Sequence, residues 1–118
     1  MPRDPRAYLE DIVEACQAIS AATQGLGLPA YLASRLVRSA VEREFIIIGE
    51  ALVALSRRSP AEFAGIGHAR RIIDFRNQLT HEYPTIDDTI VWAIADRDVP
   101  VLRRECQMLL DRGAGESK

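Results

Sequence analysis

The stretch Ile72-Ile73-Asp74-Phe75-Arg76-Asn77-Gln78-Leu79-Thr80-His81-Glu82-Tyr83-Pro84 decides how the chain is read. On a helix of about 100° per residue its side chains sort into stripes. Ile72, Phe75 and Leu79 share an apolar stripe, which predicts a core-facing surface. Arg76, Thr80 and Tyr83 run beside it, and Asn77 and His81 lie on the far flank of that second stripe. Pro84 disfavours helical geometry at the residue before it, so a helix starting near Ala69 is predicted to end near His81 to Tyr83.

His81 then sits in the last turn, where the negative end of the macrodipole favours a cation. Arg76 and His81 are roughly 140° apart around the helix. Arginine is long enough to close that gap, and both side chains can reach across to a second subunit. An imidazole and a guanidinium together suit phosphodiester chemistry: one moves a proton, and the planar fork of the other holds phosphate oxygens. Spacing alone leaves a second reading open, in which basic groups merely stabilise a helix end.

Outward from this stretch the chain is helical on both sides. Asp4-Pro5 is a helix start, and Tyr8, Ile12, Ala15, Cys16, Ile19 and Ala22 mark one face until Gly25 and Gly27. Pro29 to Ala33 reads as a turn or a short helical entry. A second long helix is predicted from about Ser34 to Arg58, with Val41, Phe45, Ile48, Leu52 and Leu55 repeating at three and four. Ile46-Ile47-Ile48 makes its middle apolar nearly all round, so burial on two sides is expected. Arg43 and Glu50 sit within that section on one side. They are expected to pair with the helix that carries Arg76 or across a dimer, a direct catalytic role being the alternative. Gly49 is out of place by propensity, and close packing against another backbone would explain it.

Ser59-Pro60 restarts the chain, Gly65 and Gly67 loosen it, and His68 is expected in an exposed loop. Asp87-Asp88-Thr89 offers a cap for a fourth helix, which Pro100 is predicted to kink or split near Asp98. Trp92 falls off the apolar stripe, at a second interface or as a partly covered core residue. Residues 1–112 are read as one domain and 113–118 as a flexible tail. Four long helices with short connections predict an all-α, antiparallel four-helix bundle, and the apolar second helix predicts a homodimer.

Composition narrows the function. An apolar fraction of 47% and a charged fraction of 27% fit a soluble globular domain, and a net charge of −2 argues against a broadly basic nucleic-acid coat. A local site built from Arg70, Arg71 and Arg76 remains open. Cys16 and Cys106 are read as buried, reduced thiols, and with no Cys/His cluster neither a metal nor a cofactor is predicted. No apolar run approaches the ~20 residues that span a bilayer, and no signal peptide opens the chain, so a cytoplasmic protein is expected.

At this point the chain resembles a HEPN-domain protein of the HepT-like toxin family. The resemblance rests on Arg3-Asp4-Pro5-Arg6-Ala7-Tyr8-Leu9-Glu10-Asp11-Ile12, on Ala40-Val41-Glu42-Arg43 followed by Ile47-Ile48-Gly49-Glu50-Ala51, and on Arg76-Asn77 with His81 and Tyr83, which match the R-x4-H-x-Y signature. It runs from about Arg3 to Leu110. It implies a HEPN-like bundle and a metal-independent endoribonuclease, the toxin of a type VII-like toxin–antitoxin pair, with a composite cleft where two copies meet. Carried over, Arg76 would neutralise the scissile phosphate of the RNA. His81 would act as general acid/base for attack of the 2′-hydroxyl, and Asn77 would orient His81 or the phosphate. Tyr83 would accept AMP from a minimal nucleotidyltransferase antitoxin, a bulky anion that blocks a site made for RNA phosphate. Asp74 stands where relatives often have glycine, and His68 lies near where they often carry a Pro-Trp pair. Asp74 and Glu82 add negative charge that opposes phosphate binding. The alternatives are a non-catalytic helical dimer that binds, and is modified by, a nucleotidyltransferase, and a helical ligand-binding bundle.

Overall fold

Asp4 and Pro5 begin the first helix as the sequence predicts. The Asp4 carboxylate accepts from the Arg6 amide at 2.8 Å, and proline takes the first position of α1 (Pro5–Thr23). The computed structural model of the chain describes residues 3–81 and 86–116, residues 114–116 as backbone only. Gly25, at φ 75°, adopts the left-handed conformation that turns the chain after α1. The short entry is a helix, α2 (Leu28–Ala33), fixed by Tyr31, whose ring is fully buried.

Ser34 caps α3 (Arg35–Arg58) by accepting from the Val37 amide at 3.2 Å. A single turn, α4 (Pro60–Phe63), leads to α5 (Ala69–His81), the helix that carries Arg76. Asp87 accepts from the Thr89 amide at 2.9 Å and opens α6 (Asp88–Glu116). The described residues are therefore all-α, with six helices and no strand, two of the helices being short.

Helix α1 lies between α3 and α6 and packs against both, whereas α5 packs chiefly on the other flank of α3. Leu9, Ile12, Cys16 and Ile19 of α1 meet Val41, Phe45, Ile48, Leu52 and Leu55 of α3 and Val91, Val99, Leu102 and Cys106 of α6 in one core. Ile72, Phe75 and Leu79 extend it under α5, as their stripe predicts, and Phe75 meets Phe45 edge to face at 5.1 Å. Each such aliphatic side chain contributes about 1.5–3 kcal/mol by leaving water. Toward α6, α5 has a peripheral tie: Arg71 pairs with Asp98 at 2.8 Å, and the Gly67 amide before α5 meets the Glu105 carboxylate at 3.3 Å. Trp92 is half-buried against the core, as one of its two expected positions requires.

Of the two outcomes expected at Pro100, the split does not occur: the helix continues through Asp98 and Pro100 with Val99 and Leu102 buried on either side. The carbonyl of Asp96, which Pro100 cannot bond, belongs to an exposed residue. The helix also runs past Gly113 to Glu116, and Arg6 of α1 donates to the Leu110 carbonyl at 2.9 Å, tying the last turns back to the bundle. No described helix is long and apolar enough to cross a membrane.

Candidate active site on the α3–α5 seam

The helical pitch of α5 places Arg76 next to Ile72 and Leu79, so its stem heads for the core and not for solvent. Gly49 of α3 receives it. A β-carbon at position 49 would fall onto Cβ and Cγ of Arg76 and lie 3.0 Å from its Nε, so only glycine lets the arginine cross α3 here. The neighbour that the misplaced glycine implied is thus a side chain, where sequence reasoning expected a backbone. Arg76 is half-buried, and its Nε is fully buried with no hydrogen-bond partner among the described residues. A buried N–H without an acceptor costs about 1–3 kcal/mol. An anionic oxygen delivered to this seam would remove that cost.

His81 and Asn77 occupy the opposite situation. Both are exposed, His81 as the last residue of α5. The Thr80 hydroxyl is shared between the carbonyls of Arg76, at 3.2 Å, and Asn77, at 3.1 Å, and so steadies the turn that presents His81. No hydrogen bond joins Arg76 to Asn77 or His81 among the described residues. The arginine lies on the seam and the other two on the solvent face of the same helix. Tyr83 lies outside the described residues, as does Glu82. Asp74 is exposed, about two helical turns before His81.

The other arginines are engaged separately. Arg70 lies over the Phe63 ring at 5.1 Å, and Arg71 is held by Asp98. Arg76 does not share their contacts, so the three do not form a packed basic cluster. His68 is exposed, as its loop position predicts. Arg43 and Glu50 do not pair with α5: both are exposed on the outer face of α3, and neither bonds any described residue. The physical reason is rotational. Gly49 faces α5, whereas Arg43 and Glu50 lie more than a quarter turn further round α3.

Among the described residues, no group of three or more His, Cys, Asp and Glu side chains is placed to hold a metal ion. A groove of about 520 Å³ between α1 and α6 is lined by Arg6, Glu10, Glu14, Gln107, Leu110 and Asp111 among others, and includes none of Arg76, Asn77 and His81.

Comparison with known proteins gives this arrangement its context. The family described as "Ribonuclease HepT-like" matches residues 12–109. The chain belongs to the HepT-like ribonuclease family. A protein of Methanocaldococcus jannaschii named "Putative RNase" is 29% identical over 107 residues, covering 91% of this chain and 97% of the relative. One of Thermococcus cleftensis named "Probable ribonuclease HepT" is 30% identical over 112 residues, covering 92% and 98%. One of Caldanaerobacter subterraneus subsp. tengcongensis, also named "Putative RNase", is 24% identical over 110 residues, covering 93% and 97%. No solved structure matches. The six helices fit the all-α, HEPN-like architecture of the HepT-like family, and the matched segment includes α3 and α5 and hence the Gly49–Arg76 contact.

What sequence reasoning missed at the site is Gly49 as the seat of Arg76. Helix-breaking propensity marked the glycine, but nothing in the spacing connects position 49 to position 76. Only the packing of α5 on α3 makes them neighbours.

Proposed function

We propose that the chain is an endoribonuclease that cleaves RNA without a metal, and that Arg76, Asn77 and His81 form its site. The observation that carries the reading is the seating of Arg76 on Gly49, with its Nε buried and unpartnered, in a chain of a ribonuclease family. An exposed His81 lies about one and a half turns further along the same helix. Arg76 binds the nonbridging oxygens of the scissile phosphate. His81 takes the proton of the 2′-hydroxyl as that oxygen attacks the adjacent phosphorus. The P–O2′ bond forms, the P–O5′ bond breaks, and an imidazolium returns a proton to the departing 5′-oxygen. The products are a 2′,3′-cyclic phosphate and a 5′-hydroxyl end. Asn77 orients His81 or the phosphate.

In this reading the site is composite: the faces of two copies together supply the phosphate clamp and both proton-transfer groups. In this reading the protein is the toxin of a toxin–antitoxin pair. A nucleotidyltransferase antitoxin silences it by forming a phosphodiester between AMP and the Tyr83 hydroxyl, with pyrophosphate leaving ATP. The added phosphate competes for Arg76.

The test is cleavage of a labelled RNA in chelator by purified protein whose intact mass shows Tyr83 unmodified. The parent is expected to leave cyclic phosphate ends, and Arg76→Ala and His81→Ala to lose at least about a hundredfold in rate while staying folded. A folded parent that cuts none of several RNAs, yet is adenylylated on Tyr83 and binds a nucleotidyltransferase, would instead establish the non-catalytic partner.

A further inference from the structure

The solvent face of α5 carries a carboxylate that phosphate chemistry leaves unexplained. Arg70, Asp74, Asn77 and His81 follow one another at spacings of four, three and four, which lines them along one side of the helix, and all four are exposed. Asp74 lies about 10 Å along the axis from His81, the scale that separates a nucleotide's phosphate from the far edge of its base. RNA whose scissile phosphate is within reach of His81 therefore passes an anion. On a surface that had only to hold phosphate, that anion is a liability.

The helix also withholds the nearest means of neutralising it. Arg70 and Arg71 stand four and three residues before Asp74, the spacings at which a guanidinium and a carboxylate pair on a helix. Arg70 instead lies over the Phe63 ring at 5.1 Å, and Arg71 reaches across to Asp98 at 2.8 Å. Asp74 makes no ion pair or side-chain hydrogen bond among the described residues, so both of its oxygens are open to a ligand.

We propose that Asp74 is a specificity-determining residue that reads guanine in a nucleotide next to the scissile phosphate. An ionised carboxylate sets two acceptor oxygens side by side and has no donor. Among the Watson–Crick edges that single-stranded RNA exposes, guanine alone sets two donors side by side, N1–H and N2–H. The other bases put an acceptor beside each donor, so the same carboxylate meets a lone pair there: N1 in adenine, N3 in cytosine, O2 or O4 in uracil. The two bonds to guanine are charge-assisted and offset the repulsion from the RNA backbone. For every other base the repulsion stands, so one side chain both favours guanine and disfavours its competitors. The inference rests on the ribonuclease reading for the place of the phosphate, whereas base recognition can be measured without cleavage.

Cutting and binding are therefore tested separately. When the parent cleaves RNA of mixed sequence and the ends are mapped by sequencing, guanosine should be enriched at one position beside the cut. In Asp74→Asn the ratio of cutting at guanosine sites to cutting at adenosine sites should fall at least about tenfold, because the amide turns a donor toward one of the two N–H groups. Binding is read on short RNAs 2′-O-methylated throughout, which lack the attacking hydroxyl. The parent should hold a guanosine oligonucleotide at least about tenfold more tightly than its adenosine counterpart. Inosine, which lacks the N2 amino group, should lose a large part of that margin, and Asp74→Asn should bind all three alike. Circular dichroism checks that the variant keeps its helices.

Where the parent cuts, the cut sites decide; where it does not, binding decides. No base preference in the deciding measurement, or a preference for guanosine that survives Asp74→Asn, would overturn the inference. So would an even gain on every sequence in Asp74→Asn, which would leave the carboxylate as a source of repulsion alone. A parent that never cuts, yet binds guanosine through Asp74, would uphold the base reading and refute the catalytic one. Cleavage without regard to base would do the reverse.

Discussion

Gly49 and Arg76 explain each other at the residue scale. The glycine, which costs about 1 kcal/mol relative to alanine in a helix, is retained because a methyl group there would occupy the space of the arginine stem. Gly49→Ala is therefore expected to destabilise the fold by about 1–3 kcal/mol through overpacking, despite its better helix propensity. In an Arg76→Ala background most of that penalty should vanish, and urea unfolding of the four proteins measures the coupling. The sequence revealed that position 49 was odd but not which residue made it so. The two buried thiols follow simpler logic and were legible as core residues from their apolar faces. Desolvation pushes the Cys16 thiol up from 9.0 to about 12, and burial drives Cys106 upward as well. The unfolded chain thus releases these protons at lower pH than the folded one. Their contribution is intact below pH 9 and is lost as the pH rises toward 12, so the urea midpoint should fall between pH 8 and pH 10. At pH 8 both should resist iodoacetamide until the chain is unfolded.

Among the elements, the long helices and their starts were readable because capping is local. Asp4, Ser34 and Asp87 each accept an amide hydrogen bond from the first turn, and the sequence marks Asp4 and Asp87 for that role. Ser34→Ala should cost about 1 kcal/mol, seen as a lower melting temperature. Helices α2 and α4 were obscure for the opposite reason, since six and four residues are too few to display a period. Tyr31 shows the consequence: nothing local marks it for the core, yet it is fully buried where α2 rests on α3 and α6. Proline was legible only in part. Its local rule predicts a kink or a split, and buried neighbours on both sides exclude the split by holding α6 together across Pro100. Pro100→Ala is accordingly expected to stabilise the protein, by up to about 3 kcal/mol less the entropy it returns to the unfolded chain. A fall in the urea midpoint would mean that proline shapes α6 in a way the packing needs.

For the whole molecule, the helical class was legible from periodicity, whereas the arrangement of helices about α3 was not. Periodicity names an apolar stripe but not its partner. Of the two partners expected for Arg43 and Glu50, α5 or a second copy, α5 is excluded because it takes the Gly49 flank and leaves both charges exposed. If a second copy covers them, the melting temperature must rise with protein concentration, and Arg43→Glu must flatten that dependence. The position of α5 has a further consequence, in how the molecule exchanges its amide protons. The helix rests mainly on one neighbour and reaches α6 chiefly through a peripheral ion pair, while α1 is clasped between two long helices. Amides of α5 should therefore trade hydrogen for deuterium through a local opening long before those of α1 do. Anything that docks on this helix, whether nucleic acid or protein, should then announce itself as slowed exchange at 69–81, a signature readable without knowing what has bound.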